Sequence, residues 1–128
     1  MIGYHANIEE LTLANNNFRQ VLYTAPHSQL VLMSLLPNEE IGMEVHQNVD
    51  QFFRFEKGSG KVILNREETI IGDGMVVIVP AGTNHNVINT SATEPLKLYT
   101  IYSPANHPDG TIHPTKADAE KYEAEKEK

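Results

Sequence analysis

The 128 residues include no cysteine and no tryptophan. Without thiols there is no disulfide scaffold, no thiolate zinc site, no iron–sulfur cluster and no cysteine nucleophile. Lack of disulfides and of an export signal points to a reducing, cytoplasmic setting. The start, Met1-Ile2-Gly3-Tyr4-His5, has no basic region followed by an apolar stretch, so it does not read as a signal peptide. The longest apolar run is about five residues. A membrane span needs roughly twenty. Basic side chains are scarce: 10 Lys and Arg stand against 17 Asp and Glu, a net charge of -7. That sign argues against nucleic acid and against an anionic membrane surface. Aromatic residues make up only 7%, too few for a large aromatic recognition platform.

What is present is a series of short, strand-like segments. A helical turn fits residues 7–14, with Asn7 as cap and Glu10 three positions on. Asn15-Asn16-Asn17 then breaks the chain. Strands are expected near 18–24, 29–36, 42–47, 51–56, 60–64, 68–71, 75–79, 85–90 and 96–102. Turn signals separate them, among them Pro37-Asn38, Gly58-Ser59-Gly60, Gly72-Asp73-Gly74 and Pro80-Ala81-Gly82. Many short strands at this spacing argue for an all-β sandwich or barrel of two packed antiparallel sheets. Residues 104–114 are rich in proline and read as loop; residues 116–128 read as a short, solvated helix of alternating Glu and Lys. The length is one domain's worth and can bury a core unaided. The organisation expected is a single domain over 1–128, with a barrel core at about 18–104 and a loop and helical tail over 105–128.

Six histidines are the natural starting point for chemistry: His5, His27, His46, His85, His107 and His113. The stretch from Gly74 to Asn89 singles out one of them. An apolar strand ends at the turn Pro80-Ala81-Gly82, and the next strand opens with His85. Alternation puts His85, Val87 and Asn89 on one face. A histidine at the mouth of a barrel strand can reach a metal there. His107 and His113 lie in the proline-rich loop, where a surface position is expected; folded over the barrel mouth, such a loop could supply an acid or base. Arg54 falls out of phase with Gln51 and Phe53, so it should point away from the interior.

Gly74, Pro80, Gly82, His85 and Asn89 match all five fixed positions of the second motif of the cupin superfamily. The first motif is degenerate. Its frame falls on Asn38, Glu44, His46, Gln51 and Gly58, so the spacing survives while three identities change. Asn38 follows Pro37, where a turn wants positive φ and Asn is the next most tolerant residue after Gly. A rival register takes His46 and Asn48 as the metal-binding pair. The segments VHQNVDQFFRFEKGSGKV and EPLKLYTIYSPANHPDGTIHPTKADA resemble small single-domain cupins described as mannose-6-phosphate-isomerase-like. This resemblance implies an all-β fold, the cupin double-stranded β-helix, with a bound divalent metal.

It also implies the ligands Glu44, His46, Gln51 and His85. Two histidines and one carboxylate suit Mn(II) or Fe(II), with Zn(II) or Ni(II) also able to occupy such a set. Glu44 and His107 are the candidates for proton transfer. The activity implied is that of a metal-dependent, isomerase-like enzyme on a small polar substrate such as a sugar or sugar acid. The alternatives are an Fe(II) oxygenase and a small-molecule-binding cupin without turnover. A homodimer is expected, because the strand over 18–24 could cover a partner's edge.

Overall fold

The computed structural model describes residues 2–126. In chain order the elements are α1 (Ile8–Ala14), β1 (Arg19–Thr24), β2 (Gln29–Leu35), β3 (Asp50–Lys57), β4 (Gly60–Leu64), β5 (Glu67–Ile71), β6 (Val76–Val79), β7 (His85–Asn89), β8 (Leu96–Ser103), β9 (Ile112–His113) and α2 (Lys116–Lys126). Two antiparallel sheets face each other. One runs β6-β3-β8-β2-β1-β9 and the other β5-β4-β7. This is the expected double-stranded β-helix, with the C-terminal helix packed against β9.

Side-chain alternation decides which face of each strand turns inward. On β3, Gln51, Phe53 and Phe55 are buried, while Phe52, Arg54 and Glu56 are only half-buried. Arg54 accordingly faces outward and pairs with Glu56 at 2.6 Å. β2 and β8 lie inside the large sheet and bury much of the apolar core, including Val31, Met33, Leu35, Leu96 and Leu98. Val62 of β4 and Val87 of β7 meet them from the small sheet. Removing this apolar surface from water is the main force that closes the sheets together.

The first helix forms as expected: Asn7 caps it by accepting a 3.1 Å bond from the Glu10 amide. Asn38 has φ of 63°. Its turn therefore requires the left-handed region that Gly occupies without strain and Asn tolerates. Gly58, at φ 122°, has a second constraint, because a Cβ there would lie 2.9 Å from the Pro95 carbonyl oxygen.

Three expectations need correction. No strand forms over 42–47. Instead, residues 38–46 run beside β7 through isolated bridges at Glu40↔Ile88 and Glu44↔His85. Four steps on one side match three on the other, so one extra residue is accommodated between the bridges. Gly42, at φ 105°, lies within that bulge, and its amide bonds to the Asn86 side chain instead of a backbone carbonyl. Next, the proline-rich loop contains a strand: β9 pairs Ile112 and His113 with Gln20 and Arg19. Finally, α2 is not a wholly solvated helix. Thr115 and Asp118 form a reciprocal cap, with the Asp118 amide 3.1 Å from the Thr115 hydroxyl. Ala119 is buried in the core cluster, and Tyr122 packs on His113. Positions 127 and 128 of the expected helix lie outside the described residues.

Candidate metal centre

The bulged segment and β7 bring the two motifs together. Glu44 and His85 exchange backbone hydrogen bonds, both at 2.8 Å. Such a pair projects its two side chains to the same side of the ladder. His46, two residues on, has its ring centroid 5.4 Å from that of His85. One ligating atom from each of Glu44, His46 and His85 lies within 4.8 Å of the others. That compactness is what a shared cation needs.

The polar atoms left over fit a metal well. His85 Nδ1 lies 3.0 Å from the Thr83 carbonyl oxygen. A carbonyl can only accept, so Nδ1 carries the proton and Nε2 keeps a free lone pair. That Nε2 is buried without a hydrogen-bond partner, and so are His46 Nε2 and Gln51 Oε1. The Gln51 amide donates through Nε2 to the Thr100 hydroxyl at 2.9 Å, which leaves its oxygen unpaired. Buried polar atoms without partners are costly. Here three such atoms belong to residues of the expected ligand set. Asn48, the alternative to Glu44, is exposed in a turn.

Above the cluster lies a cavity of about 560 Å³. Glu44 and His46 line it, together with Phe18, Arg19 and His107 and the α2 residues Lys116, Glu120 and Glu123. His107 therefore does not sit on the open surface. The buried Gln29 side chain grips its backbone: Oε1 accepts from the His107 amide at 3.0 Å and Nε2 donates to its carbonyl at 2.7 Å. Its Nε2 lies 3.2 Å from the Tyr102 hydroxyl. His113 is also buried, whereas His5 and His27 are exposed.

Burial is the first cause of every shifted histidine here. It lowers His46, against the pull of Glu44 and with help from His85 and Arg19. It lowers His113 as well. Burial pushes His107 down to about 3, with the charges of Arg19, His46, His113 and Lys126 adding to it. Burial also pushes the Tyr102 phenol up. The His107 imidazole is thus neutral across the ordinary pH range.

This has a consequence for stability. The unfolded His107 titrates near its ordinary 6.5 and the folded one near 3. In between, the unfolded chain binds a proton that the folded chain refuses. Stability is therefore complete above about 6.5 and falls as pH drops through the window, by up to about 1.4 kcal/mol per pH unit from this group. Melting curves should show that acid-side loss, and His107→Gln should make it shallower. An unchanged slope in the variant would assign the effect to other groups.

Sequence reading missed Arg19 as a lining group, and Tyr102 as the buried neighbour of His46 and His107. Arg19 shares the inward phase of β1 with apolar Val21, and a cation in that phase is the signal that could have found it.

Residues 31–102 match the family described as Cupin domain. Protein YrkC of Bacillus subtilis is 52% identical over 119 residues, covering 88% of this chain and 63% of that protein. The chain thus spans less than two thirds of that relative's length. A protein of Acanthamoeba polyphaga mimivirus is 48% identical over 112 residues, covering 85% of this chain and 70% of its own. Among solved structures, a Bacillus halodurans protein aligns with a TM-score of 0.89 at 44% identity, over 92% of this chain and 93% of that one.

Proposed function

The chain belongs to the Cupin domain family, and on that premise we propose that it is a metal-dependent enzyme of isomerase-like chemistry acting on a small polar substrate such as a sugar or sugar acid. The observation that carries this reading is the Glu44, His46 and His85 cluster, with its ligating atoms within 4.8 Å, opening on the cavity. Gln51 completes the proposed ligand set with its unpaired amide oxygen. One carboxylate and neutral donors suit Mn(II) or Fe(II). When bound, the ion supplies Lewis acidity toward oxygens of the substrate. Thr83 holds the His85 tautomer, and the Tyr102 phenol, kept protonated by burial, sits beside the His46 ring and 3.2 Å from His107 Nε2. Glu44 belongs to the ligand set in this reading, so His107 is the candidate for proton transfer that stands outside it.

One observation favours a second reading, a binding cupin without turnover. His107 is held neutral by burial, which leaves it a weak base.

The test begins with metal analysis of protein purified without a histidine tag, followed by screening against aldoses and ketoses. Stoichiometric Mn or Fe is expected, and Glu44→Ala should lower it while Asn48→Ala does not. Loss of metal in Asn48→Ala with retention in Glu44→Ala would move the site to the rival register.

We also read the chain as half of a homodimer. In the sheet β1 is already flanked by β2 and β9, but β6 is an edge strand that exposes Val76 and Ile78. Light scattering should give twice 14.3 kDa; a monomer mass at micromolar concentration would end that reading.

A further inference from the structure

Arg19 is a cation whose position neither the core nor the proposed ligand set explains. It opens β1, paired through the backbone with Met33 on one side and His113 on the other. Its side chain turns inward, and the residue is only 5% exposed. A guanidinium stays charged at every ordinary pH and carries five donors. Here its Nε has no hydrogen-bond partner. The ion pairs found among the described residues, Arg54–Glu56 and Lys61–Glu68, do not include it. One face of the group lies over the Phe18 ring, 5.2 Å from its centroid. It shares the cavity lining with His46, His107 and the carboxylates of Glu44, Glu120 and Glu123, and none of these carboxylates forms an ion pair with it. Burying a guanidinium that no ion pair contacts is costly. The cost makes sense if a charge partner arrives from outside.

The cavity allows that. Arg19 lines the same space as Glu44 and His46. The lining cations Arg19, Lys116 and Lys126 are balanced by Glu44, Glu120 and Glu123. A divalent ion at the cluster would tip the balance to positive, which favours an anion. The planar fork of a guanidinium matches a carboxylate with two parallel hydrogen bonds.

We propose that Arg19 is the anion-recognition residue of the cavity, and that the ligand entering it is a small carboxylate whose neighbouring oxygen turns toward the Glu44, His46 and His85 cluster. Only the second half of this rests on the metal reading, because Arg19 is in place with or without an ion. It narrows the substrate class from polar molecules in general to small acids.

Calorimetric titration of the full chain, both metal-loaded and chelator-stripped, tests it with two pairs of probes: lactate against lactamide, and pyruvate against pyruvamide. Each pair shares a shape and differs in charge. The acids should bind about 10- to 100-fold more tightly than the amides, the usual worth of a charge-assisted bond. The stripped protein should keep that preference. Arg19→Met, of similar length without the charge, should abolish it, and Arg19→Lys should retain part of it. The acid–amide comparison needs no substitution, so a misfolded variant does not spoil it. Equal binding of acids and amides, or no binding of the acids at millimolar concentration in either state, overturns the proposal. So does a folded Arg19→Met variant that keeps the preference. A protein that holds no metal yet prefers acids through Arg19 would sink the metal reading alone. A protein that holds metal but binds acids independently of Arg19 would sink this inference alone.

Discussion

Replacing His85 with alanine is expected to strip the protein of its metal. The side chain is 2% exposed, and its free Nε2 sits among the other unpaired donors. No neighbouring residue can substitute, since the next imidazole, His46, already belongs to the cluster. Losing a mere outer partner of a metal ligand typically costs about 10- to 100-fold in affinity. Losing the ligand itself should exceed that, so metal content after dialysis should drop to background. Gln51→Glu should behave in the opposite way, because a carboxylate keeps the donor oxygen and adds charge. His27→Ala, at an exposed position, should leave content unchanged. Elemental analysis and competition against a chelator read all three. Retention of stoichiometric metal in His85→Ala would remove that residue from the site.

The motif around His85 was legible because each of its positions has a local physical job. Asn89 is the clearest case. Its buried amide donates to the Leu35, Leu36 and Glu94 carbonyl oxygens and accepts from the Ser91 amide. Asn38 was legible for the same reason, since Pro-Asn announces a turn. The segment over 42–47 was not. Its alternation suits a strand, but Gly42 introduces a bulge, and Glu44 takes its place from pairing with His85. That pairing is non-local and leaves no periodic trace. α2 was misread because seven of its 11 residues are charged. Its buried side rests on one small residue, Ala119, and a helix can cover a cavity with charged stems as well as with apolar ones. β9 escaped because two residues are too short to show a period.

Phe53 tests how far the site depends on the core beneath it. The ring is 1% exposed, stacks on Phe55 at a centroid distance of 6.0 Å, and lies 6.3 Å from the His85 ring. Phe53→Ala removes most of a large side chain from a region that β3 holds in register on both sides, with Val77 of β6 and Thr100 of β8. Neighbours pinned in this way cannot collapse fully into the space, so the loss should be about 3–5 kcal/mol. Against a typical total of about 5–15 kcal/mol, that is a large share. The melting temperature should fall by about 10–20 °C. The ligands themselves remain, so the variant should still bind metal, and a metal that binds only the folded chain should restore part of the stability. His85→Ala should gain nothing from added metal. Scanning calorimetry of both variants with and without Mn(II) separates the two roles. A loss below about 1 kcal/mol would mean that Phe53 is not enclosed as described. A Phe53→Ala variant that folds but gains no stability from the ion would mean that the Phe53 ring itself holds the His85 imidazole in its binding orientation.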